Sequence, residues 1–160
     1  MQKEPKLQPS LTQATLPPQT RQKLDSLKDM LNLKKDPSYA LLVSLIVKWF
    51  INLSDSEIVE IIENYISQSL EYTKEALEER GIKVQKIPAD NWGKLKELSQ
   101  KLIKTREDFE ANWENAMFNK DYKLIPVMVT IAILKAVENA QENREFLENK
   151  LFPNYKINPS

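Results

Sequence analysis

Carboxylates are the only general acids and bases present in number, because the chain has no His and no Cys. Imidazole is the usual base near neutral pH, and with thiolate it supplies most zinc ligands and activated nucleophiles. Glu57, Glu60 and Glu63 recur at intervals of three, and Glu71, Glu75, Glu78 and Glu79 prolong the run. A carboxylate di-metal site in a helical bundle needs inward-facing glutamates together with Glu-x-x-His pairs. The histidines are missing, and Ile58, Ile61, Ile62 and Ile66 mark the apolar side of the same segment. The acidic run therefore reads as a solvated face. No Gly-x-Ser-x-Gly elbow occurs. Gly81 and Gly93 are the only glycines, too few and too far apart for a Walker or dinucleotide loop. Asn52-Leu53-Ser54 matches a glycosylation acceptor, but Ser54 is better used as a helix cap. The expectation is a chain that is not an enzyme and takes no cofactor or metal, with a carboxylate hydrolase as the distant rival.

Lysines offer a second kind of chemistry. At about 100° per residue, Lys94, Lys101 and Lys104 fall on one flank of a helix, beside the apolar stripe of Leu95, Leu98 and Leu102. Lys83 and Lys86 precede that helix, and Trp92 stands at its start. A row of lysines tracks a phosphate backbone without reading bases, and an exposed Trp92 can stack on an unpaired base. Arg21, Lys23, Lys28, Lys34 and Lys35 form a secondary basic patch. The plainer reading stays open: Glu97 sits among the lysines, and a mixed charge run is the ordinary surface of a soluble helix. The charge is blocked even though the whole is neutral. Residues 1–35 carry a net +4, 54–80 a net −6, and 81–106 a net +5. Such blocks give the surface opposed electrostatic faces.

The elements that must position these groups follow from periodicity and caps. An apolar fraction of 41% and a charged fraction of 29% suit one globular domain of 160 residues. The shortage of glycine suits helices, which need few positions of positive φ. Residues 1–17, rich in Pro, Gln, Ser and Thr, predict a flexible tether. A first helix starts near Pro18, carries Leu24, Leu27 and Leu31 on one stripe, and ends before Asp36-Pro37. A second helix, from Ser38 to about Asn52, is apolar nearly all round and is expected at the centre. Ser54 and Glu57 make a capping box, with Leu53 and Ile58 as its hydrophobic staple, opening a third helix over 54–80. Residues 82–89 are a connector that can run extended. Asp90 caps a fourth helix over 90–119. Pro126 opens a fifth, buried through Val137 and amphipathic afterwards with Phe146, Leu147 and Leu151 inward, that continues until Phe152-Pro153. The result is an all-α five-helix bundle over 18–152 with two long helices, a flexible N-terminal tether and a tail at 153–160. Two apolar runs, 39–50 and 124–137, fall short of the ~20 residues that span a bilayer, and Lys48 and Lys135 interrupt them. No signal-peptide core opens the chain, so a cytoplasmic location is expected, away from membranes.

The design resembles the small subunit of CRISPR effector complexes, especially of the type I-D and type III kinds. The likeness lies in five helices without Cys, His or catalytic glycines, the long helices 54–80 and 90–119, and basic flanks. A linker-like start, from Met1-Gln2-Lys3-Glu4-Pro5 to Pro17-Pro18, belongs to it as well. The resemblance implies an antiviral-defence subunit without catalysis, packed among other effector subunits. It would steady a guide–target RNA–DNA duplex or a displaced single strand of DNA by backbone contact. In type I-D systems such a subunit can be made by internal translation from the end of the large-subunit gene. Opposite charge blocks suit copies stacked head-to-tail. The rival from another class is a helical protein-interaction adaptor with no nucleic-acid role.

Overall fold

The computed structural model describes residues 14–31, 37–78, 82–84, 93–95, 97–98 and 124–153. They form an all-α bundle in the order β1 (Ala14–Leu16), α1 (Pro18–Leu31), α2 (Tyr39–Ile51), α3 (Asp55–Glu78), β2 (Ile82–Val84), α4 (Leu124–Glu142) and α5 (Arg144–Phe146). A π-helical turn, Leu147–Leu151, follows α5 directly.

Local chemistry sets the helix starts. Pro18 begins α1, and the buried Thr20 hydroxyl donates to the Pro17 carbonyl at 2.6 Å. Ser38 caps α2, its hydroxyl accepting from the Leu41 N–H at 3.0 Å. The capping box of α3 is present in both directions. The Glu57 N–H donates to the Ser54 hydroxyl at 3.3 Å, and the Ser54 N–H donates to the Glu57 carboxylate at 3.1 Å. Behind it Ile58 is buried and Leu53 packs on the core, as a staple does. Glu57, Glu60, Glu63 and Glu71 of α3 are all exposed.

The burial expected of the run 124–137 is present in α4, which holds the centre; α2, expected at the centre from its run at 39–50, does not. Residues 127–134 of α4 are buried all round, enclosed by α1, α2, α3 and β1. In α2 only Leu42, Val43, Ile46, Val47 and Phe50 are buried. Leu41, Leu45 and Trp49, on its other side, are half-buried. Both helices are apolar enough for the centre. The one wrapped by neighbours on every side is α4, and α2 lies on its flank.

Two further expectations are corrected. The tether predicted over 1–17 is overturned at Ala14–Leu16, which pairs antiparallel with Ile82–Val84 and has Leu16 wholly buried; residues 1–13 of that tether, and 154–160 of the predicted tail, lie outside the described residues. The register is Ala14↔Val84, Thr15↔Lys83 and Leu16↔Ile82, so the connector after α3 does run extended at its start. The fifth helix, predicted unbroken to Phe152, is interrupted at Asn143, which takes φ −149° and ψ 110°. Its carboxamide oxygen accepts from the Glu145 N–H at 2.9 Å, a new N-cap inside the predicted helix. The chain then turns wide: the Phe152 N–H donates to the Leu147 carbonyl at 2.8 Å, five residues back. This turn points Leu147, Leu151 and Phe152 into the core together. Arg144 ties the break to α1 by donating to the Met30 carbonyl at 3.2 Å. Of the fourth predicted helix, 93–95 and 97–98 are helical, with Leu95 wholly buried; its other residues lie outside the described ones.

Candidate docking groove

The predicted basic residues separate into three groups. Lys94 is exposed, one position before buried Leu95, as a lysine flank beside an apolar stripe requires. Lys83 lies in β2 opposite Thr15. Lys34, Lys35, Lys86, Trp92, Lys101 and Lys104 lie outside the described residues. On α1, Arg21 and Lys28 are brought together on one aromatic ring. The Arg21 guanidinium carbon stands 5.4 Å, and the Lys28 ammonium 4.0 Å, from the ring centre of Tyr39. Both distances are within cation–π range. The Tyr39 hydroxyl donates to Asp25 at 2.8 Å, and that carboxylate, with burial second, pushes the hydroxyl pKa up. Arg21, Asp25 and Lys28 thus form a clasp that holds the first residue of α2 against α1. Lys23 stands on the same helix, half-buried.

A groove of about 750 Å³ opens elsewhere, where α2, α3, α4 and the C-terminal turn meet. Its floor is aromatic: Trp49 and Phe146 meet edge to face, with centroids 5.0 Å apart at 88°. Leu45, Leu53, Ile61 and Leu151 complete the apolar lining. The rim is polar and carries both signs. Lys48 from α2, Lys135 from α4 and Lys150 from the last turn face Glu57 and Glu60 from α3. Lys135 is partly neutralised, since its ammonium lies 3.3 Å from the Glu138 carboxylate. The Tyr65 hydroxyl donates to the same oxygen of Glu138. That hydrogen bond, then Lys135, holds the Glu138 carboxyl below its ordinary range. Burial first and Glu138 second push the Tyr65 hydroxyl far up. The Glu57 carboxyl is held down by the Ser54 N–H and hydroxyl of the capping box.

Four carboxamides also line the groove: Asn52, Asn64, Asn139 and Asn149. Asn52 is occupied, donating to the Lys48 carbonyl at 2.7 Å at the end of α2. The side chains of Asn64, Asn139 and Asn149 make no hydrogen bond among the described residues.

The sequence did hold a signal for this place. Lys48 and Lys135 are the residues that interrupt the two apolar runs, and both interruptions open onto the same groove. Nothing in their spacing shows that α2 and α4 bring them to one side. Among the described residues no group of three or more His, Cys, Asp or Glu side chains is placed to hold a metal ion. Among the same residues no helix is long and apolar enough to cross a membrane. No family model, curated protein or solved structure matches the chain.

Proposed function

We propose that this chain is a non-catalytic interaction module that docks another protein in the groove between α2, α3, α4 and the C-terminal turn. The observation that carries this reading is that Lys48 and Lys135, which interrupt the two apolar runs, meet at one aromatic-floored groove. An apolar floor with a polar rim of both signs matches the anatomy of a protein interface. A phosphate track needs a clear excess of cations. Here Glu57 and Glu60 oppose Lys48 and Lys150, and Lys135 is tied to Glu138. A photo-crosslinking residue placed at Asn149, in the cell that makes the protein, is expected to give one defined protein adduct. Lys48→Glu with Lys150→Glu should abolish that adduct, and a probe at exposed Asp29 on α1 should give none. Equal labelling from both positions, or none from Asn149, would overturn the reading.

A second reading is favoured by Lys94, exposed while its neighbour Leu95 is buried. Here the chain is a subunit of a cytoplasmic ribonucleoprotein effector, resembling the CRISPR small subunits of antiviral defence. Its lysine flank touches the backbone of single-stranded DNA or an RNA–DNA duplex, and copies stack head-to-tail among other subunits. Binding of both nucleic acids, measured across a salt series, is then steep and lost on Lys94→Glu, Lys101→Glu and Lys104→Glu together. Each phosphate contact contributes about 0.7–0.9 to the logarithmic salt slope. Flat binding that ignores these changes leaves the first reading alone.

A further inference from the structure

We infer that the groove takes its partner as an extended peptide segment, held by its backbone through the carboxamides of Asn64, Asn139 and Asn149. This inference rests on the groove being a protein-docking surface. A carboxamide offers an N–H donor and a C=O acceptor side by side, the same pair of groups that a peptide unit presents. It can therefore answer both backbone groups of a residue whose own groups are unpaired. A partner helix has used its backbone groups internally except at its ends. Only an extended segment still has them to give along its length.

The placement of the three asparagines agrees with this. They come from α3, α4 and the C-terminal turn, so they sample a path across the groove rather than a point. None is committed to another described residue, whereas Asn52 is. In an extended segment alternate side chains point to opposite sides. One set then meets the apolar floor of Trp49 and Phe146, and the other faces water. The rim carries charge of both signs, Lys48 and Lys150 against Glu57 and Glu60, so a segment with both acidic and basic residues complements it. The volume, about 750 Å³, is that of a short ligand rather than of a whole helix–helix interface.

The test is a selection of random nine-residue peptides, displayed on phage, against the full chain. The most enriched peptide is then synthesised, and its affinity is measured for wild type and for Asn64→Ala, Asn139→Ala, Asn149→Ala and Lys48→Glu. Each asparagine change is expected to weaken binding about fivefold, as one net hydrogen bond does, and the triple change far more. Methylating the peptide's backbone nitrogens one at a time should weaken binding at alternate residues. All four positions are at least partly exposed, so thermal unfolding should show the variants folded. A peptide that binds as a helix, sensitive to Lys48→Glu but indifferent to the asparagines, would overturn the inference and leave the docking reading standing. So would the absence of any enriched peptide while the Asn149 probe still captures one protein. Failure of both experiments removes the docking reading itself.

Discussion

Tyr65, Glu138 and Lys135 show what a single contact does for the bundle. The Tyr65 hydroxyl on α3 donates to Glu138 on α4, with Lys135 3.3 Å from the same oxygen. Because the folded Glu138 carboxyl titrates below its ordinary 4.5, its contribution is complete above that pH. It is lost as acid drives the pH down through the lower folded value. The Tyr65 hydroxyl works at the other end: its folded pKa is raised above 10.0, so stability is lost as the pH climbs past 10.0 and the unfolded phenol ionises first. Tyr65→Phe is expected to cost about 0.5–1.5 kcal/mol near neutrality. It should also flatten both the acid and the alkaline decline, as urea midpoints across pH will show. The sequence could not announce this contact, because its partners stand 73 residues apart. The capping box was legible because Ser54 and Glu57 are three residues apart and need no tertiary fold to meet. The α1 cations were half legible. Sequence shows that Arg21 and Lys28 are charged, but not that the ring of Tyr39 lies under both.

At the scale of elements, α2 and α4 compete for the same place. Apolar content says that either can be buried; it does not say which one the others will surround. The helix with neighbours on every side has no exposed flank, and 127–134 has none. Ile131→Ala, in the middle of that stretch, is expected to cost about 2–5 kcal/mol. Leu41→Ala, on the half-buried side of α2, should cost no more than about 1 kcal/mol. Equal costs in denaturant unfolding would put the two helices on the same footing. The interruption at Asn143 escaped the sequence for a similar reason. Asn is tolerated within helices and favoured at caps, and the Arg144 bond to the Met30 carbonyl, from another helix, helps fix which it is.

At the scale of the molecule, the helical class was written in the 3.6-residue spacing and in the near absence of glycine. The groove was not, since it exists only where separate helices bring their polar interruptions to one side. Its balanced rim contrasts with the charge blocks read from the sequence, because Lys48, Lys135 and Lys150 come from different parts of the chain and meet the acidic α3. Long-range encounter also governs the small ribbon. Pairing Ala14 with Val84 closes a loop that contains α1, α2 and α3 entire. Closing so long a loop costs entropy that local helix formation does not, so the ribbon joins after the helices have collapsed. Leu16 is then a kinetic latch. Leu16→Ala should leave the refolding rate nearly unchanged while unfolding accelerates about thirtyfold or more, read from the two arms of a stopped-flow chevron. Residues 14–16 are thus the last to lock, and the lifetime of the folded bundle is expected to follow how firmly those three residues are held.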